Sequence, residues 1–291
     1  MNIIVIGRSG QLATELARAS WPATARVAAL GRGALDITDR DSIERAVVAH
    51  RPDVLVNAAG YTAVDRAEAD VAAAFAVNAG GAENLAIVAR RHDVPLVHVS
   101  TDYVFGGGGA RPWREDDTPR PQGVYARSKL AGEQAVQSIA PRHVILRTSW
   151  LFAAHGQNFV RTMLRLGAER DRIGVVDDQV GCPTAAADLA RVIVAVAGGL
   201  ARGDASTGLY HYAGAGAVSW YGFAAAIFDL AGDLVARRPR LEAITTAQFA
   251  AAAPRPAYSV LDCSKIERDF GIARAPWMIG LRAVLAELRA A

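Results

Sequence analysis

In "GVYARSKLAGEQA", residues 123–135, a tyrosine stands four positions ahead of a lysine. That spacing puts Tyr125 and Lys129 on one face of a helix, one turn apart. A free phenol, with a pKa of about 10, holds its proton too tightly for easy donation near neutrality. A neighbouring ammonium favours the phenolate and is expected to lower that pKa. Such a pair suits protonation of the alkoxide that forms when hydride reaches a carbonyl. The lysine can also reach the ribose hydroxyls of a nicotinamide cofactor. Spacing alone fits an ordinary surface helix equally well, and other stretches break the tie.

"VHVSTDYVF" puts Ser100 and Thr101 at the C-terminal end of a candidate strand, where doubly wound sheets build their sites. A hydroxyl there can hydrogen-bond a substrate carbonyl. "VNAAGYTAVD" ends an earlier strand with small residues that let a nicotinamide–ribose lie close. "IIVIGRSGQLATEL" places Gly7 directly after the first strand and Gly10 where a helix begins, with Ala13 completing G-x-x-G-x-x-A. Glycine permits the tight turn and lets backbone N–H groups approach a pyrophosphate at the positive helix end. An acid at the tip of the second strand would mark NAD. Here the strand runs into Leu30-Gly31-Arg32, so Arg32, with Arg8, is expected to meet a 2′-phosphate. NADPH is the expected cofactor and NADH the alternative.

These residues need a scaffold. Candidate strands are 2–6, 26–30, 53–57, 95–100 and 143–148, with helical patterns near 10–20, 39–50, 65–91 and 124–139. The alternation predicts an α/β fold: a doubly wound, Rossmann-like parallel sheet over residues 1–150. Residues 151–291 are expected to form mainly a smaller C-terminal substrate-binding lobe, some of its segments returning to the core. Helices are predicted there near 157–169, 184–199, 220–231 and 277–289. Locally, Thr38 is expected to cap the second helix, "TAVD" (62–65) has capping-box spacing, and "GGGG" (106–109) reads as a flexible loop beside the site.

The totals narrow the function classes. Of 291 residues, 52% are hydrophobic and 21% charged, enough for a sizeable core. The net charge is +3, with no basic block longer than a pair such as Arg90-Arg91, so nucleic acid is not an expected partner. Cys182 and Cys263 have no metal-ligand spacing, and two reduced thiols fit the cytoplasm. No run is expected to approach a membrane span. Trp113, Trp220 and Trp277 read as packing, His211 as a structural histidine, and Asp177 and Asp178 as loop acids. Nothing near Cys182 would lower its pKa, so it is not an expected nucleophile.

The ordered set G-x-x-G, N-A-A-G, S-T-D, Y-x-x-x-K resembles the extended short-chain dehydrogenase/reductases over the first half of the chain. With "NAAGYTAVDRAE", "STDYVFGG", "VYARSKLAGE", "LRTSWLF", "NFVRTML", "DDQVGCPT", "LYHYAG" and "RPAYSVLD", the likeness runs nearly end to end and narrows to the dTDP-4-dehydrorhamnose reductases. That resemblance implies NADPH-dependent reduction of a nucleotide-sugar C4 ketone, for polysaccharide biosynthesis. It implies a catalytic trio of Thr101, Tyr125 and Lys129, Tyr125 being the proton donor. Gly10, Gln11 and Leu12 would cradle the pyrophosphate, Asp36 and Ile37 border the adenine, and Gly60, Tyr61 and Thr62 line the nicotinamide side.

Thr101, Asp102 and Trp150 would contact the sugar nucleotide, with Gln179, Pro183, Thr184 and Arg255 as further candidates in the second lobe. Some relatives bridge a homodimer through carboxylates around Mg²⁺. Glu15 is present here, whereas Ala187 stands where a second carboxylate would align, so a homodimer and Mg²⁺ stay open and no metal ligand is assigned. Two alternatives also stay open. One is an epimerase or dehydratase of the same superfamily, although dehydratases follow the threonine with Asp and Glu, not Asp102 and Tyr103. The other is a non-enzymatic regulatory subunit of the same fold, against which the intact trio counts.

Overall fold

The computed structural model describes residues 1–290. Its first half alternates β1 (Asn2–Ile6), α1 (Gln11–Arg18), β2 (Arg26–Leu30), α2 (Arg40–His50), β3 (Val54–Asn57), α3 (Val64–Ala67), α4 (Val71–Phe75), α5 (Gly81–Arg91), β4 (Leu96–Thr101), α6 (Val124–Ile139) and β5 (His143–Thr148). The second half adds β6 (Leu151–Phe152), α7 (Phe159–Glu169), β7 (Arg172–Val176), β8 (Val180–Gly181), β9 (Thr184–Ala185), α8 (Ala186–Arg202) and β10 (Gly208–His211). It ends with β11 (Val218–Ser219), α9 (Trp220–Ala231), β12 (Arg240–Ile244), α10 (Thr246–Phe249), α11 (Ser264–Phe270) and α12 (Trp277–Ala290).

Six strands form one parallel sheet in the order β2-β1-β3-β4-β5-β10. Such a sheet is covered on both faces, so its strands must be apolar both ways. Every residue of β3 is buried accordingly. Ile3, Val5 and Val56 pack with α1 and α8, while Ile4, Ile6 and Leu55 pack with α2 and α5. The order reverses between β1 and β3, which opens a crevice at the C-terminal strand ends. The last strand, β10, comes from the second half of the chain. A separate apolar cluster there includes Phe152, Val160, Phe223, Ile227 and Leu281.

Several local expectations are corrected. Asp39, not Thr38, caps α2 by accepting from Asp41 N at 3.0 Å, and the Thr38 hydroxyl instead donates to Asp36 Oδ1 at 2.7 Å. The 62–65 capping box does not form. The N-cap of α3 is Ala63, with no side-chain cap bond, because the Asp65 carboxylate accepts from Arg255 and from Ala253 N. In the 106–109 run, Gly107 has φ +86°, and a Cβ there would lie 2.7 Å from Ala257 N. Contrary to expectation, the continuous helical run Val71–Arg91 is long and apolar enough, by length and composition, to cross a membrane. In this fold its Ala82, Leu85, Ala86 and Val88 are core residues.

Midway along that run a π-type turn, Ala76–Gly80, joins α4 to α5. Helix α6 lies against this turn so closely that a Cβ on Gly132 would come within 2.1 Å of Asn78 O. Overpacking of this kind costs about 1–3 kcal/mol. Gly132→Ala is therefore expected to lower the melting temperature in a thermal scan, and an unchanged melt would contradict this packing.

Candidate active site

Helix α6 starts at an N-cap, Gly123, that has no side-chain oxygen of its own. Glu68 supplies one from elsewhere in the chain, accepting from Val124 N at 2.7 Å, which answers an otherwise orphaned helical donor. Tyr125 follows in the first turn. The Ser128 hydroxyl donates to Tyr125 O at 2.8 Å and accepts from Asn78 Nδ2 at 3.0 Å. Asn78 also brackets Tyr61, accepting from its N–H and donating to its carbonyl. The π-type turn thereby ties α6 to the loop after β3. Lys129, buried one turn further on, donates from Nζ to Val99 O of β4 at 2.7 Å.

The expected trio shares one cavity of about 400 Å³, with Thr101, Tyr125 and Lys129 on its wall and Asp102, Trp150 and Thr62 completing it. Its floor is Gly10, Gln11, Leu12 and Gly60. Gly10 and Gly60 also line an adjoining cavity of about 400 Å³ that holds Gly7, Arg8, Arg32, Asp36, Ile37 and Tyr61. All the expected cofactor residues thus line one trough across the switch between β1 and β3. The trough fits a dinucleotide diphosphate. Helix α1 has no side-chain cap and no acid in its first turn, so its leading N–H groups are free to meet phosphate oxygens. A Cβ on Gly10 would meet nothing within 4 Å, and Gly7 turns the chain at φ +112°, a conformation that favours glycine.

Electrostatics depart from expectation at the phenol. Burial pushes Tyr125 up to about 12, opposed by a hydrogen bond with the Thr101 hydroxyl. The Asp102 carboxylate raises it further, and Lys129, contrary to expectation, is not among the groups that act on it. Burial brings Lys129 down to about 8, the Glu133 carboxylate resisting. Asp102 is raised to about 7 by burial, with the Ser259 and Thr101 hydroxyls countering. Thr101 donates to Asp102 Oδ1 at 3.1 Å and accepts from Tyr103 N at 3.2 Å. Ser100, the other hydroxyl at this strand end, is buried, and its Oγ has no hydrogen-bond partner.

At the adenosine end, Arg32 is exposed and donates from Nε to Asp36 Oδ2 at 2.9 Å. The strand tip lacks a carboxylate, as read, but Asp36 brings one beside the same cavity, held below its usual range chiefly by hydrogen bonds from Thr38.

A third cavity, of about 520 Å³, adjoins the trio and shares Thr62, Val64, Tyr103 and Trp220 with it. Gln179 and Arg255 lie here, with Phe249 more than half exposed at its wall. Arg255 grips Asp65 in a bidentate pair at 3.0 and 2.7 Å. Pro183 and Thr184 do not line it. Thr184 is buried and bonds Cys182 O and Gly214 N.

Trp220 packs against Phe159 and Phe223 as expected, but it also stacks on Trp150 with ring centroids 3.4 Å apart and faces both cavities, a site role that was missed. Tyr103 was also missed, and its ring meets Tyr125 edge-on at 5.8 Å. Its place immediately after Asp102 was the available signal. His211 is structural, its Nδ1 shared between Trp113 O and Asp262 O. Cys182 is buried and its thiol raised by burial, although, contrary to expectation, the Arg274 guanidinium 3.6 Å away acts to lower it. Asp177 and Asp178 accept from Ser219 and Thr246 in loops. Glu15 is paired with His155 at 2.6 Å, and no metal-holding group of three ligands occurs among the described residues.

A family model described as RmlD substrate binding domain matches residues 1–290. A dTDP-4-dehydrorhamnose reductase of Aggregatibacter actinomycetemcomitans is 42% identical over 289 residues, covering 98% of this chain and 98% of that protein. The protein of the same name from Escherichia coli (strain K12) is 38% identical over 294 residues, covering 99% and 98%. A crystal structure of dTDP-4-dehydrorhamnose reductase from Bacillus anthracis str. Ames in complex with NADP matches with a TM-score of 0.91. It is 36% identical and covers 98% of this chain and 99% of that one.

Asp102 yields a stability test. Its folded pKa, about 7, lies above the ordinary 3.8, so the fold disfavours its ionised form. The penalty is absent below the lower value, grows as pH rises between the two, and is constant above the higher. Asp102→Asn removes it. The melting temperature of the variant minus that of the wild type should rise from about pH 4 to about pH 7 and then level. A pH-independent difference would show that this carboxyl titrates normally.

Proposed function

The chain belongs to the dTDP-4-dehydrorhamnose reductase family, and from that premise we propose how its residues carry out the reaction. It is an NAD(P)H-dependent oxidoreductase that converts the C4 ketone of dTDP-4-dehydro-L-rhamnose to the alcohol of dTDP-L-rhamnose. One observation carries the assignment of roles: Thr101, Tyr125 and Lys129 wall a single cavity that joins a dinucleotide trough to a second, larger hollow.

Bound NAD(P)H supplies the hydride. Tyr125 donates its proton to the oxygen on C4 as negative charge develops there. A phenol raised to about 12 carries that proton at any working pH. Its donation leaves a buried phenolate, and the Lys129 ammonium one turn away offsets that charge. Lys129 also holds the ribose hydroxyls. The Thr101 hydroxyl, fixed between Asp102 and Tyr103 N, orients the ketone. This preorganisation of polar groups around the reacting oxygen accounts for most of the acceleration.

Asp102 and the stacked Trp150–Trp220 pair hold the sugar. The nucleotide then extends into the 520 Å³ cavity. Arg255, which lines that cavity, meets the diphosphate, and Phe249 offers the base an aromatic face. Arg8 and Arg32 favour NADPH over NADH by meeting the 2′-phosphate.

Oxidation of NADPH by dTDP-4-dehydro-L-rhamnose, followed by absorbance, tests both levels. Tyr125→Phe should lower turnover by about 10²–10⁴-fold and leave NADPH binding nearly intact; unchanged turnover refutes its role as proton donor. Arg32→Ala removes a charge-assisted hydrogen bond, so kcat/KM for NADPH should fall about 10–100-fold with little change for NADH. Equal losses for the two cofactors would contradict the phosphate assignment.

A further inference from the structure

Among the described residues, one ion pair has both partners buried: Glu133 at 1% and Arg147 at 2% side-chain exposure. Arg147 on β5 donates from Nε to Glu133 Oε1 at 2.9 Å and Oε2 at 3.2 Å, and from Nη2 to Oε2 at 2.6 Å. Its guanidinium also sits 5.0 Å from the Phe105 ring centroid. Two ions out of water add little net stability over a well-packed apolar pair. Stability alone therefore does not account for them.

Their placement does. Glu133 follows Lys129 by four positions on α6, which puts carboxylate and ammonium on the same helix face. The groups packed around Lys129 offer no other negative charge. On β4 the contact is the neutral Val99 carbonyl. His98, on the same strand, accepts from Asn57 Nδ2 through Nδ1 and is kept neutral by burial, with Lys129 and His143 acting the same way. Tyr125 is a protonated phenol, Asp102 acts on Tyr103 and Tyr125, and Arg147 is itself cationic.

We propose that Glu133 is a positioning residue for the catalytic site: its carboxylate keeps the buried Lys129 ammonium charged, and Arg147 locks that carboxylate in place from the neighbouring strand. The proposal rests on the role given to Lys129 above, as the group that holds the cofactor ribose. The two-pronged grip engages both carboxylate oxygens, so Glu133 cannot swing away from its place on the helix face. Lys129 titrates at about 8 with this support. Its charged form is present below that pH and lost as pH rises through it. Without the carboxylate the loss moves to lower pH by about one unit, the low end of the usual effect of a nearby opposite charge.

The test is NADPH affinity, read by fluorescence from about pH 6 upward, in wild type, Glu133→Gln, Glu133→Gln/Arg147→Gln and Lys129→Met. The double variant leaves no lone buried cation, and so decides the matter where the single one fails to fold. Wild-type affinity should fall with a midpoint near 8. Both glutamine variants should show that midpoint about one pH unit lower, and Lys129→Met should bind more weakly with no midpoint. A folded double variant with an unmoved midpoint overturns the proposal, as does a wild-type midpoint near the free-lysine value of about 10.4. Wild-type affinity and midpoint in Lys129→Met would instead overturn the role of Lys129 itself.

Discussion

The site depends on holding an ammonium out of water. Lys129 is 6% exposed, and burial opposes its charge. Its bond to Val99 O joins α6 to β4 at the strand end where Thr101 stands. Around that link the chain fixes α6 at three further points. Glu68 closes its first turn, Asn78 reaches Ser128 from the π-type turn, and Gly132 lets that turn approach the helix backbone. Displacing any one would move Tyr125 relative to the Thr101 hydroxyl. In the proposed reaction the close fit is therefore a catalytic requirement as well as a packing one.

With the helix fixed, the phenol behaves differently from a simple tuned acid. Desolvation raises it, and in the proposed reaction the nearby ammonium acts on the product of proton transfer, not on the resting side chain. A proton donor that is never deprotonated at rest, beside a cation that stabilises what remains after donation, suits reduction. The neighbouring Asp102 carries the opposite consequence of the same dry environment, since burial brings its titration close to neutrality.

The core strands and the length of α6 were legible because their signals are local. Runs such as "NIIVI" and "HVILRT" must be apolar both ways in a covered parallel sheet, and four-residue spacing sets Tyr125 and Lys129 on one face. Glycines after the first strand were legible for the same reason. What escaped depends on distant partners. Asp65 reads as a helix cap until Arg255, 190 positions away, takes its carboxylate. Trp220 reads as packing, which it is, and only the fold shows that it also walls both cavities beside Trp150. The expected lowering of the Tyr125 pKa failed because burial, which no spacing rule reports, dominates. Glu133 lay unremarked in the quoted motif until β5 brought Arg147 against it.

The most direct measurement is a crystal structure with NADP⁺ and dTDP-L-rhamnose bound. The Tyr125 hydroxyl should lie within hydrogen-bonding distance of the sugar O4 and Lys129 Nζ on a ribose hydroxyl, with the diphosphate of the sugar nucleotide against Arg255. A phenol turned away from O4, with Lys129 clear of the ribose, would contradict the assigned roles.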